Sequence, residues 1–179
     1  MPRWLRFLCA LTLAVATAAA AQMRDAMTHF FQPSFGDLKE ELELARKEGK
    51  RGLFLMFAAE DCPPCNAMKR NVFSQPTVQD YYRQHFRVLH IDFNGDDEVT
   101  DFSGRSMRSK EFARTVARVR GTPTVLIVDT AGKELVRHAG LLRDANEALH
   151  FADFVLRDHY QRVAFETYWR EHGGTMSRR

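Results

Sequence analysis

Residues 52–65, GLFLMFAAEDCPPC, constrain the fold more than any other stretch of this chain. An unbroken apolar run behind a glycine reads as a strand buried on both faces, because a half-exposed strand alternates apolar and polar side chains. Such a strand lies inside a sheet with helices packed on each side. Two cysteines follow at once, and Met68 and Val72 sit at helical spacing after them. The chain therefore passes from central strand to helix through a CxxC pair.

The flanking segments extend this pattern. Residues 36–50 place Leu38, Leu42 and Ala45 on one helical face and end at Gly49. QPTVQDYYRQHF is a second short helix after the cysteines, with Pro76 in its first turn. FRVLHIDFN (86–94) is the next strand, and 95–110 is a polar, turn-rich excursion that includes a short hairpin. SKEFARTVARVRG reads as a helix capped by Ser109, with Phe112, Val116 and Val119 on one side. Residues 122–140 are two strands around the turn TAGKE. The region after 140 reads as one long helix with Ala148, Phe151, Phe154 and Val155 inward, and its aromatic end, Phe165, Tyr168 and Trp169, either exposes a partner surface or, the better reading, folds back on the sheet. The order gives an α/β fold, a mixed central sheet with helices on both faces.

The chain of 179 residues suits one domain. Its first residues combine Arg3 and Arg6, an apolar core from Leu5 to Val15, and small residues up to Ala21. This is the pattern of a secretory signal peptide over 1–21, too short and too alanine-rich for a span of about 20 apolar residues. Cleavage takes the net charge from +3 to +1, and no basic block supports nucleic-acid binding. Residues 22–35 then form a lead-in pinned by Phe30, Phe31 and Phe35, residues 36–159 the domain, and 160–179 a helical extension and tail. The expected location is the periplasm, and the expected state a monomer.

Cys9 leaves with the signal, so Cys62 and Cys65 are the mature chain's only thiols. One pair in an oxidising compartment suits redox cycling better than a stapled scaffold. At i and i+3 on a first helical turn, two cysteines approach closely enough to bond. Cys62 sits where amides and the helix dipole favour a thiolate, the species that attacks disulfides. It is expected at the surface as nucleophile, with Cys65 more buried as resolving thiol. A zinc site would need two more ligands, and His85 and His90 lie on a helix and a strand without a second CxxC. GDDEVTD lacks the closing glutamate of a calcium loop, and His138 and His150 read as packing residues. No metal or other cofactor is expected: GxGxxG, P-loop and CxxCH motifs are absent.

FLMFAAEDCPPC, VLHIDFN and RGTPTVLIVDTAGKEL, in that order and spacing, resemble the thioredoxin superfamily over residues 36–159. The chain is most similar to exported thioredoxin-like proteins, including those found alongside sulfur-oxidation systems. The resemblance implies a thioredoxin fold, a cis Pro123 facing the cysteines, and Thr122 offering backbone groups to a client strand. It also implies departures. The family's buried acid and its lysine partner are replaced by Met56 and Val88, the Trp before the pair by Asp61, and Gly-Pro by Pro63-Pro64. Proton handling at Cys65 is left to water, Glu60 or Asp61.

Local chemistry favours a reductant. A CxxC pair oxidises strongly when its thiolate is over-stabilised. Pro63 and Pro64 bring no N–H, and the neighbours Glu60 and Asp61 repel a thiolate. The expected potential lies nearer about −270 mV than about −120 mV. The expectation is an exported thiol–disulfide oxidoreductase that reduces client disulfides, recharged by a membrane thiol carrier. The alternatives are an isomerase or oxidase of the same fold, or a binding module with a structural disulfide.

Overall fold

The structure, a computed structural model, describes residues 22–172. The signal-peptide reading, Cys9 and the end of the tail lie outside them. The lead-in carries α1 (Ala26–His29), followed by α2 (Leu38–Lys47), β1 (Gly52–Ala58), α3 (Pro63–Asn71), α4 (Pro76–His85) and β2 (Phe86–Asp92). A two-stranded ribbon, β3 (Glu98–Thr100) and β4 (Ser106–Arg108), leads into α5 (Ser109–Glu111). Then come β5 (Thr124–Asp129), β6 (Glu134–Ala139), α6 (Ala145–Leu156) and α7 (Phe165–Glu171).

The main sheet has four strands in the order β2-β1-β5-β6. β1 runs parallel to β2 and antiparallel to β5, which is antiparallel to β6. All seven residues of β1 are buried, as an inner strand of a covered sheet requires. Alternation sorts its side chains into two layers. Phe54, Met56 and Ala58 join Val88, Val125 and Ile127 under α3, α4 and α6. Leu53, Leu55 and Phe57 join Leu89, Ile91 and Leu126 against Leu38, Leu42 and Ala45 of α2. Gly52 lets the central strands approach: a Cβ there would stand 1.9 Å from the carbonyl oxygen of Val128.

Several local expectations are corrected. The long C-terminal helix is broken. α6 stops at Leu156, and Asp158 adopts a left-handed backbone (φ 56°), with its carboxylate bound to Arg51 at 2.6 Å. The break turns α7 back, so that Phe165 and Tyr168 are buried against Phe151 and Phe154, and Trp169 is buried against His150. The segment from Ser109 is short, and Phe112–Val116 winds into a wider π turn. Ser109 does not cap it: its hydroxyl donates instead to the Asp92 carbonyl at the end of β2. In the lead-in, Phe30 and Phe31 are buried, whereas Phe35 is fully exposed because Gly36 turns the chain away behind it (φ 82°). Phe30 stacks on Phe73 at 4.2 Å and packs edge-on against Phe54 and Tyr82.

Candidate active site

Cys62 is the N-cap of α3, in extended conformation, with Pro63 and Pro64 in the helix's first two positions. Proline is tolerated there because those amides have no partner within the helix. The first amide inside the helix is that of Cys65, and it donates to Cys62 Sγ at 3.3 Å. Cys62 and Cys65 are joined as a disulfide, with Cα atoms 5.3 Å apart. Cys65 has no exposed surface and Cys62 keeps 7% of its own. Cys62 is thus buried rather than exposed at the surface as its place at a helix start suggests, because it packs within the apolar layer of Ala59, Met68 and Leu142. Glu60 and Asp61 are exposed on the β1 side, and Asn66 Nδ2 ties the loop by donating to the Glu60 carbonyl at 3.2 Å. Met68 Sδ accepts from the Leu142 amide at 3.3 Å, fastening α3 to the segment before α6.

Thr122 and Pro123 precede β5 at the same end of the sheet. Phe57 of β1 faces Thr124 of β5, so the chain leaving β1 for the cysteines and the chain entering β5 from Pro123 are neighbours. The Thr122–Pro123 peptide is cis, Pro123 is buried, and its carbonyl accepts from the Gly140 amide at 2.9 Å. The N–H and C=O of Thr122 make no hydrogen bond with the described residues. Edge groups left open in this way are where an extended peptide adds to a sheet.

Met56 and Val88 are fully buried, so no carboxylate or lysine stands at those places beneath α3. His90 lies opposite Met56 in register on β2, with its ring edge-on to Phe31 at 5.3 Å. Burial, and secondarily the charge of Lys69, push its pKa down to about 4, and Nε2 is buried without a partner among the described residues. His90 is therefore neutral near pH 7. The sequence singled it out only as a failed zinc ligand. His85 packs against Tyr81, and the His138 and His150 rings lie against Phe151 and Trp169. Among the described residues no group of His, Cys, Asp or Glu is placed to hold a metal ion.

One feature without any sequence signal adjoins this loop. Arg118, Arg120 and Arg137 line a pocket with Thr122 and Pro123. They come from a loop and a separate strand, so only folding gathers them.

Comparison with known proteins agrees with this geometry. A family described as a thioredoxin-like domain matches residues 38–156. No curated protein matches the chain. Among solved structures it is similar to a DsbH oxidoreductase (TM-score 0.57, 18% identity, covering 79% of this chain and 90% of that one). It is also similar to a thioredoxin-fold protein from Helicobacter pylori (0.54, 20%, 67% and 80%). A protein from Bacteroides thetaiotaomicron assigned as a disulphide isomerase is similar at 27% identity (TM-score 0.51, covering 69% of this chain and 92% of that one). With a CxxC disulfide capping the helix after the central strand, the chain belongs to the thioredoxin-like domain family, as one of its thiol–disulfide oxidoreductases.

Proposed function

We propose that this protein is an exported reductase of client disulfides, with Cys62 as nucleophile and Cys65 as resolving thiol. The observation that carries this reading is the single amide donor at Cys62 Sγ. Prolines occupy the other first-turn positions, and the exposed neighbours are acids. With its thiolate only modestly stabilised, the dithiol is a reductant, nearer about −270 mV than about −120 mV.

The reaction balances as two thiol exchanges. The Cys62 thiolate attacks one sulfur of a client disulfide, that S–S bond breaks, and the client's other sulfur leaves as a thiolate. Cys65, deprotonated, then attacks Cys62 Sγ and expels the client's second thiolate. Two electrons pass to the client, and Cys62–Cys65 becomes the disulfide. Thr122 and Pro123 dock the client strand, the open backbone groups of Thr122 pairing with it. A dithiol carrier in the membrane restores the reduced form, and the protein works as a periplasmic monomer. Among the described residues no helix is long and apolar enough to cross a membrane.

Replacement Cys65→Ser removes the resolving step. It is expected to accumulate mixed disulfides between Cys62 and client proteins in the exporting cell, and none to form in the Cys62→Ser chain. A measured potential near −120 mV in glutathione equilibration would overturn the reductase reading. Isomerisation is the second reading, favoured by the Bacteroides relative. Faster refolding of a scrambled substrate than net reduction would establish it.

A further inference from the structure

The pocket beside Pro123, about 350 Å³, opens between the loop before β5 and the end of β6. Its three arginines are in different states. Arg137 is held by Glu134 through Nε at 3.1 Å and Nη2 at 2.7 Å, while Nη1 donates to the Arg118 carbonyl at 3.4 Å. Arg118 and Arg120 are exposed and enter no ion pair with the described residues. Arg118 also has a left-handed backbone (φ 52°), a conformation unfavourable outside glycine that clusters at functional sites. Glu60 and Asp61, directly before Cys62, are exposed and enter no ion pair with the described residues. The segment before the cysteines thus carries exposed acids, and the segment before Pro123 carries cations that enter no ion pair with the described residues.

We propose that this pocket selects clients bearing a carboxylate side chain two or three residues from the cysteine that Cys62 attacks. The inference rests on the reductase reading and adds the identity of the preferred client segment. Adjacent strands lie about 4.8 Å apart, so β5 and β6 stand roughly 5 and 10 Å from the line of β1. An extended chain covers that distance in about two or three residues. A guanidinium fork matches a carboxylate in two parallel hydrogen bonds, and the volume admits a side chain or two rather than a folded loop. The acids directly before Cys62 oppose a polyanion and suit a client of mixed sign.

The test uses the dithiol protein, reduced with dithiothreitol and desalted, against two peptides. Each is joined through one cysteine to the same fluorescent thiol, and they differ only in Glu or Lys at the third position after the cysteine. The wild-type chain is expected to reduce the Glu peptide about tenfold faster at low salt, with the ratio falling as salt screens the charges. In the Arg118→Glu, Arg120→Glu chain the ratio is expected to invert, and a ratio is insensitive to any loss of folded protein. Equal rates on the two peptides by the wild-type chain overturn the charge selection while leaving the reductase reading intact. Reduction of neither peptide, nor of uncharged hydroxyethyl disulfide, overturns both.

Discussion

The amide missing at Pro64 is the one that would reach Cys62 Sγ from the second position of α3, since an N-cap side chain accepts from the second or third helical amide. Replacement Pro64→Ala restores that donor. It is expected to lower the Cys62 thiol pKa and raise the potential by about 30 mV per pKa unit, read by glutathione equilibration and by the ultraviolet absorbance of the thiolate. An unchanged potential would show that helix amides do not set the proposed reducing potential. His90 makes a second prediction at this scale. Its pKa falls from 6.5 to about 4, chiefly by burial, so below pH 6.5 the unfolded chain binds a proton that the folded chain refuses. Stability is whole above pH 6.5 and declines as pH drops toward 4, by up to about 3 kcal/mol. Urea midpoints measured between pH 7 and 4 should show the slope, and His90→Leu should flatten it. Asp101, held well below the usual carboxylate range by hydrogen bonds from Ser103 and Arg105 against the opposing effect of burial, acts only in more acid solution.

Elements here are decided by patterns of different strength. β1 was legible because an unbroken apolar run after Gly52 and before a CxxC reads as an inner strand, and all seven residues of β1 are buried. α2 was legible from the i, i+4 spacing of Leu38 and Leu42, and Asp37 caps it at 2.9 Å from the Glu40 amide. The break between α6 and α7 was not. Helical spacing of aromatics continues across it, and the left-handed Asp158 is held by Arg51, more than a hundred residues away in the chain. Phe35 failed for a similar reason: aromatic identity says nothing about where a loop turns. The lead-in is nonetheless part of the core through Phe30, which lies on Phe73 at the end of the active-site helix segment. Phe30→Ala is expected to cost about 3–5 kcal/mol, measured by denaturant unfolding. A loss under about 1 kcal/mol would show the lead-in to be a passive strap.

Across the whole molecule, the proposed site draws on two strands that arrive from distant parts of the chain. β1 delivers the cysteines and β5 delivers Thr122–Pro123, and Gly52 sets how closely these strands run by admitting the Val128 carbonyl where a side chain would stand. Gly52→Ala is expected to cost about 3 kcal/mol and to slow client reduction in the folded fraction, checked by thermal unfolding and by single-turnover rates. A rate unchanged despite lost stability would mean that the site tolerates strand displacement. The alternation of helix and strand, the inner strand and the thiol pair at a helix start are readable from the residues alone, because periodicity and the CxxC spacing are local and survive without tertiary context. The partners emerge only on folding. Strand register sets Thr122 and Pro123 at the same end of the sheet as the cysteines, a distant arginine folds the C-terminal aromatics back, and three arginines from one loop and one strand meet at one pocket. Such contacts depend on packing between residues far apart in the chain, which no local pattern encodes.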